Sequence, residues 1–207
     1  MTRSPDPPIA GIDKRRLAIL LSGRGSNFEA IADAVSSGRI PDAEIVAVIS
    51  DVAAAPGLGR ARQRGLPAFA VDRAEFRSRT DRERRILAIL DEARPDVICL
   101  AGYMRLLSPA FVARYAGRIL NIHPALLPKF PGLDAQRQAL EAGEAESGCT
   151  VHVVDESTDS GPILLQKRVS ILPGDTVETL SARILEQEHE AYPEAIARFL
   201  AERPPTG

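Results

Sequence analysis

Residues 118–132 read R-I-L-N-I-H-P-A-L-L-P-K-F-P-G, and the apolar run at their start predicts a buried strand. Side chains two positions apart point to the same face of a strand, so Asn121 and His123 are expected to lie side by side. Pro124 then stops ladder hydrogen bonding. Open α/β sheets place their binding sites at the carboxyl ends of strands. The pair therefore indicates either a catalytic site or a strand-end asparagine beside a histidine that is satisfied in the core.

Short apolar runs on both sides of this segment predict the rest of the sheet. Each of the four earlier runs precedes a helical pattern, so we expect an α/β fold with a mostly parallel, doubly wound sheet. Two later runs are separated by a loop too short for a parallel crossover, which predicts a C-terminal antiparallel hairpin followed by a closing helix. The six runs cover residues 17–21, 44–50, 68–71, 97–101, 150–154 and 163–169.

Capping motifs predict where three helices begin. Thr80 and Glu83 have the spacing of a capping box, as do Asp175 and Glu178 before the closing helix. Ser108, followed by Pro109, predicts the start of the helix before the central strand.

The composition narrows the class of protein. A chain of 207 residues suffices for one α/β domain, and a net charge of −2 with no Trp argues against nucleic-acid binding. No apolar run approaches the roughly 18 residues that span a membrane, and the first residues lack the apolar core of a signal peptide. We therefore expect a cytoplasmic protein without membrane contact, with residues 1–15 a flexible extension and residues 16–202 a single domain.

A glycine-rich turn, S-G-R-G-S-N, follows the first strand and precedes a helical pattern. Such a turn points backbone N–H groups and a helix N-terminus at an anion. Phe28 stands where a dinucleotide motif has its third glycine, and the Walker A lysine is missing. The pattern favours one phosphate held by Gly25, Ser26 and Asn27, and it leaves open a plain turn capped by Ser26 or Asn27.

Asp159 lies in the predicted hairpin loop, from which it can reach Asn121 and His123. A carboxylate beside a histidine is the usual acid–base arrangement, and an asparagine amide can donate to an oxyanion. These groups suit attack of an amine on an acyl carbon. A metal hydrolase is the competing interpretation, but the three histidines lack HExxH or CxxC spacing, so we predict no metal.

Four motifs resemble those of the phosphoribosylglycinamide formyltransferase family: SGRGSN, LAGYMRLLSP, LNIHPALLPKFPG and GCTVHVVDESTDSGP. The resemblance runs in order from about residue 16 to residue 200. It implies a single domain with the Rossmann-like formyltransferase fold. It also implies transfer of a formyl group from the co-substrate 10-formyltetrahydrofolate to the amine of glycinamide ribonucleotide (GAR) in purine synthesis.

The resemblance further implies residue roles, with Asn121, His123 and Asp159 matching the family's catalytic trio. The GAR-binding residues would be Gly25, Ser26, Asn27, Gly102, Leu185, Glu186, Gln187 and Glu188, the last facing the ribose. The residues lining the folate pocket would be Arg79, Met104, Arg105, Leu106, Leu107, Asn121, Asp155, Glu156, Ser157, Thr158 and Asp159.

Two residues depart from the family pattern, and several alternatives stay open. Thr158 stands where the family usually has an aliphatic residue, and Asp134 stands where many members have histidine. We expect neither change to abolish activity. The alternatives are methionyl-tRNA formyltransferase, formyltetrahydrofolate hydrolase, and a folate- or nucleotide-binding module that has lost catalysis. GAR and formylfolate are the expected partners, and a homodimer is also left open.

Overall fold

The computed structural model describes residues 14–157 and 159–202, and these residues form one seven-stranded sheet with six α-helices. The strands are β1 (Arg15–Leu21), β2 (Ala43–Ser50), β3 (Ala68–Ala70), β4 (Val97–Leu100), β5 (Ile119–His123), β6 (Glu146–Val153) and β7 (Ile163–Ser170). The helices are α1 (Ser26–Ser36), α2 (Pro56–Gln63), α3 (Arg79–Ala93), α4 (Pro109–Arg114), α5 (Ala135–Glu141) and α6 (Val177–Ala201).

The strands lie in the order β3-β2-β1-β4-β5-β6-β7. The first five run parallel, and β6 pairs antiparallel with both β5 and β7. The predicted α/β fold, with its mostly parallel sheet, C-terminal antiparallel pair and closing helix, is confirmed. The predicted extension, residues 1–15, lies outside the described residues apart from Lys14 and Arg15, and Arg15 already begins β1.

The core consists of two apolar layers, one on each face of the sheet. Alternate residues of β1 supply both layers, with Leu17 and Ile19 in one and Ala18 and Leu20 in the other. This division follows from the two-residue period of a strand. Helices α1 and α6 cover the first layer, whereas α3 and α4 cover the second. None of the helices in the described ranges is long and apolar enough to cross a membrane.

Helix α6 is bonded to the strands that carry the candidate site. The hydroxyl of Tyr192, a fully buried residue, lies 3.1 Å from the carbonyl oxygen of Leu100 and 2.9 Å from that of Leu120. A buried hydroxyl stays favourable only with such partners. This contact therefore holds the middle of α6 against β4 and β5.

Helix starts are where the sequence prediction was wrong. Ser78, not Thr80, caps α3, with its hydroxyl accepting from the Asp81 N–H at 3.1 Å. Gly25, rather than Ser26 or Asn27, is the N-cap of α1. For α6 the capping box shifts by one residue, to Thr176 and Thr179.

The predicted acidic members of both boxes have other partners. Glu83 is buried and accepts a hydrogen bond from the Ser108 N–H at 2.9 Å. Asp175 instead pairs with Arg183 at 2.8 Å. Ser108 caps α4 as predicted, accepting from the Phe111 N–H. Helix α5, at seven residues, lies in a segment for which no helix was predicted.

Candidate active site

The carboxyl end of β5 brings the predicted trio together. Nδ2 of Asn121 lies 3.4 Å from Oδ1 of Asp159, and Nδ1 of His123 lies 3.4 Å from Oδ2 of the same carboxylate. The strand thus presents both side chains to one group, as its two-residue period predicted. Asp159 reaches them from the β6–β7 loop and also accepts from the Gly132 N–H at 2.8 Å.

His123 is buried, and acceptors face both of its ring nitrogens. Nε2 is 2.8 Å from the carbonyl oxygen of Phe130, which can only accept, so Nε2 carries a hydrogen. Nδ1 faces the Asp159 carboxylate, toward which only a protonated ring can donate a second hydrogen. Acceptors therefore lie at both ring nitrogens of His123, with the Asp159 carboxylate on the Nδ1 side.

His152 is the neighbour that the sequence prediction missed. In the antiparallel pairing of β5 with β6, His152 lies directly opposite Asn121. Its Nε2 is 3.2 Å from Nδ2 of Asn121 and 3.5 Å from Oδ1 of Asp159. With a hydrogen on Nε2 the ring donates to Asp159, and without one it accepts from Asn121. The proton on this nitrogen thus decides how the Asn121 amide is held.

The pKa of Asp159 reflects several opposing causes. Burial by itself raises the pKa, but the hydrogen bonds from His152 and from the Gly132 N–H lower it. The charge of His123 acts in the same direction, and the net pKa lies below the ordinary value. Asp159 is therefore an anion at neutral pH, able to hold the protons of the groups around it.

The glycine-rich turn after β1 has a backbone that only glycine fits. Gly25 has a φ of 78°, and a Cβ on it would lie 2.8 Å from the Cα of Gly57. Gly57 in turn donates its N–H to the Gly23 carbonyl at 3.2 Å. Gly102 also reaches this turn, since its carbonyl accepts from the Ser22 N–H at 3.0 Å. The turn thus presents the first N–H groups of α1 with no side chain at Gly25 in the way.

Asn27 joins this turn to α6. Its Nδ2 donates to Oε2 of Glu188 at 2.7 Å, and both residues are buried. Burial raises the pKa of Glu188 to about 7, although the hydrogen bond from Asn27 acts in the opposite direction. The Oδ1 atom of Asn27 is buried without a hydrogen-bond partner in the described structure. The contact therefore leaves a buried polar atom beside a carboxyl group that titrates near neutral pH.

His189, next to Glu188, was given no role in the sequence prediction. Its Nε2 is buried with no hydrogen-bond partner among the described residues. Burial lowers the pKa of His189, against the opposing charges of Glu29 and Glu186. By contrast, no hydrogen bond joins Leu185, Glu186 or Gln187 to the glycine-rich turn, although all are described. Of the four residues predicted on this helix, only Glu188 makes such a contact.

The two predicted folate segments differ in how they are held. Met104 and Leu106 expose their side chains, whereas Nε of Arg105 pairs with the buried Asp51 at 2.9 Å. Leu107 packs partly buried against the core layer of α3 and α4. In the other segment, Asp155 accepts from the Ser157 N–H at 3.0 Å and from the Ser160 hydroxyl, while Glu156 is exposed. Thr158 lies outside the described residues.

Arg79 and Asp134 lie at helix starts. Arg79 is exposed at the first position of α3, and its Nε is 3.9 Å from Oε1 of Glu83. Glu83 also holds Ser108, so Arg79 lies beside the end of the 104–107 segment. Asp134 is exposed and is the N-cap of α5, without a hydrogen bond from its side chain to the cap.

Within the described residues, the trio belongs neither to a metal-binding cluster nor to the cavity beside Leu126 and Phe130. No group of three or more His, Cys, Asp or Glu side chains within residues 14–157 and 159–202 could hold a metal ion. A cavity of about 230 Å³ is lined by residues that include Leu126, Phe130 and Gln166, but by none of the trio. The trio thus lies outside this cavity.

Comparisons with known proteins show which family the chain resembles. Residues 15–196 match the model of the formyl transferase family. The chain is 47% identical over 183 residues to a phosphoribosylglycinamide formyltransferase of Escherichia coli, covering 88% of this chain and 86% of that protein. A trifunctional purine biosynthetic protein adenosine-3 of Drosophila pseudoobscura pseudoobscura is 52% identical over 89% of the chain, which spans only 14% of that protein. The solved phosphoribosylglycinamide formyltransferase of Brucella melitensis superimposes with a TM-score of 0.86 at 51% identity, covering 94% of this chain and 100% of that one.

Proposed function

The chain belongs to the formyl transferase family, and we propose that it transfers the formyl group of 10-formyltetrahydrofolate to the amine of GAR. The products are formyl-GAR and tetrahydrofolate, in purine biosynthesis. The convergence of Asn121 and His123 on Asp159 at the end of β5 carries this proposal, because these groups match the charges that such a transfer develops.

The chemistry begins when the lone pair of the neutral GAR amine forms a bond to the formyl carbon. The carbonyl electrons move to the oxygen, which leaves a tetrahedral centre with a negative oxygen and a positive nitrogen. When this centre collapses, the bond between the carbon and the folate nitrogen breaks, and that nitrogen takes up a proton. The amine nitrogen loses one proton, so atoms and charge balance.

The trio supplies what these steps require. The Asn121 amide donates to the oxyanion without carrying charge itself. Its contacts with His152 at 3.2 Å and Asp159 at 3.4 Å are long, so the amide can exchange them for a hydrogen bond to the oxyanion. Protonated His123 stabilises the same oxygen or supplies the proton to the folate nitrogen. The Asp159 carboxylate, which its hydrogen-bond donors keep ionised, accepts the proton that the amine nitrogen loses.

The substrates have complementary features around the trio. Gly25, Ser26 and Asn27 would hold the phosphate of GAR at the N-terminus of α1, and Glu188 would accept from the ribose hydroxyls. The exposed side chains of Met104 and Leu106, with the segment from Asp155 to Asp159, would hold the folate. Formylfolate acts as a co-substrate, and no step of this proposal requires a metal. A homodimer and a cytoplasmic location stay predictions from the sequence.

A transfer assay on the purified protein tests the proposal, with GAR and water as competing acceptors. We expect formyl-GAR to appear in step with tetrahydrofolate, and no turnover when GAR is omitted. Tetrahydrofolate and formate released without GAR would instead support a hydrolase. Folate binding without any turnover would support a binding module.

A further inference from the structure

The segment between β4 and α4, residues 102–108, has neither helix nor strand and is here called the anchored loop. Its Met104 and Leu106 side chains are 64% and 67% exposed. Arg105 lies between them and points inward, where its Nε reaches Oδ2 of Asp51 at 2.9 Å. The Arg105 side chain therefore points into the protein, whereas the side chains on either side of it, Met104 and Leu106, point outward.

Asp51 is a fully buried carboxylate that follows β2 directly. Among the described residues, Arg105 is the only donor whose hydrogen bond reaches its side chain, and Oδ1 has no partner. A buried carboxylate without a counter-charge is strongly unfavourable. Asp51 therefore holds the Arg105 side chain, which is itself about one-third exposed, at a fixed position.

Two further side chains anchor the same loop. The hydroxyl of Ser22 accepts from the Met104 N–H at 2.9 Å. Glu83 accepts from the Ser108 N–H, and its second oxygen accepts from the Ser108 hydroxyl. The anchored loop is thus held by Ser22 after β1, Asp51 after β2 and Glu83 in α3. Of these three anchors, only Asp51 forms an ion pair with the loop, and it does so at the centre of the loop.

We propose that Asp51 is a positioning residue for formylfolate, acting through Arg105 to hold Met104 and Leu106 in their outward orientation. This inference rests on the proposed function, in which the anchored loop forms one wall of the folate pocket. Without the ion pair the loop must be ordered when folate binds, which weakens binding. Among the described residues, neither the trio nor Asn27 and Glu188 hydrogen-bond to the Asp51 side chain, and Gly102 at the start of the loop is held separately by the Ser22 N–H. We therefore expect the loss to fall mainly on folate.

The test compares Asp51→Asn with Asp175→Asn. Both aspartates pair with an arginine at 2.8–2.9 Å, and both side chains are nearly inaccessible. Asp175 lies before α6 and contacts Leu172 and Thr179 instead of the anchored loop. For Asp51→Asn we expect the Kd for tetrahydrofolate and the KM for formylfolate to rise roughly tenfold. The KM for GAR should stay within about twofold, with a smaller change in kcat than in the folate KM. For Asp175→Asn we expect a lower Tm and an unchanged folate KM.

Two further variants distinguish the positioning role of Asp51 from a general loss of stability. Arg105→Lys keeps the charge but loses the Nε contact, and it should show the same folate-specific loss. The double variant Asp51→Asn/Arg105→Lys should lose no more than the larger single loss, because both changes remove one contact. Losses that multiply, or equal losses for GAR and folate, would overturn the positioning role.

The outcomes also separate this inference from the proposed function. A wild-type protein that binds GAR but no folate would contradict the proposed function itself. Wild-type folate binding that is unchanged in both Asp51→Asn and Arg105→Lys would overturn the role of Asp51 alone.

Discussion

Asp159, in the β6–β7 loop, and Glu188, on α6, are both carboxyl groups of the candidate site, yet their pKa values shift in opposite directions. Burial acts to raise the pKa of each. Around Asp159, His152, the Gly132 N–H and His123 together outweigh burial, and the pKa falls below its ordinary value. Around Glu188 only Asn27 opposes burial, and the pKa rises to about 7.

The difference shows that several donors and nearby positive charge outweigh burial around Asp159, whereas one donor does not outweigh the deeper burial of Glu188. A carboxyl group with several hydrogen-bond donors stays ionised and can take part in proton transfer. A group with a single donor titrates near neutral pH, where its protonation couples to stability.

Removing the donors on the side of Asp159 should have the largest effect on activity. We expect Asn121→Ala and His123→Ala each to lower kcat by about 10²–10³, because each removes a group that stabilises the developing charges. In His123→Ala the pKa of Asp159 should also rise, which NMR titration of its carboxyl carbon would detect. Circular dichroism serves as the folding control. Near-normal turnover in either folded variant would mean that the catalytic centre lies elsewhere.

Asp159→Asn removes the anion but keeps the size of the side chain. The Gly132 N–H and His123 contact Oδ2 of Asp159, whereas Asn121 and His152 contact Oδ1. An amide has only one oxygen, so it cannot accept at both positions, and we expect kcat to fall by roughly 10². The pH–rate profile of the variant should also differ from that of the wild type. Measurements of kcat for both proteins from about pH 5 to about pH 9 test this prediction. A superimposable profile with unchanged kcat would contradict a role for the carboxylate.

Glu188→Gln tests the opposite case, the carboxyl group with one donor. The folded-state pKa of about 7 exceeds the ordinary 4.5, so the folded state binds the extra proton between these values. The stability of the wild type should therefore fall as pH rises through this window. Above pH 7 the glutamine variant should be the more stable, by on the order of 2 kcal/mol, and the difference should shrink toward pH 5.

Urea unfolding at several pH values measures this stability difference. The same variant should bind GAR more weakly, which calorimetry would show independently of stability. A stability difference that does not change with pH would mean that Glu188 keeps its ordinary pKa.

The smallest effect is expected for Asn27→Ala, which leaves Glu188 without its donor. The pKa of Glu188 should rise further, and the free energy of unfolding should fall by about 1–2 kcal/mol at neutral pH. Ser36→Ala, at the far end of α1, is a suitable control because its hydroxyl donates to the Ala32 carbonyl at 2.9 Å and has no other hydrogen bond within the described residues. An unchanged titration of Glu188 would show that Asn27 does not govern it.

Several features of the site followed directly from the sequence. The juxtaposition of Asn121 and His123 follows from the strand period, and their contact with Asp159 was expected from the topology of the hairpin. His152 was not found because its position depends on the register between β5 and β6. A histidine in a strand next to the predicted trio was the available signal.

The sequence by itself indicated the strands, because apolar runs of about four to eight residues, rich in β-branched side chains, are shorter than most helices and typical of buried strands. It also determined the glycine-rich turn, where Gly25 needs a positive φ. The tertiary structure alone decided the partners of the buried acids. Glu83 has the spacing of a capping residue, yet it bonds Ser108, 25 positions away. Several cap-forming residues compete locally within a few kcal/mol, so long-range hydrogen bonds and burial select among them.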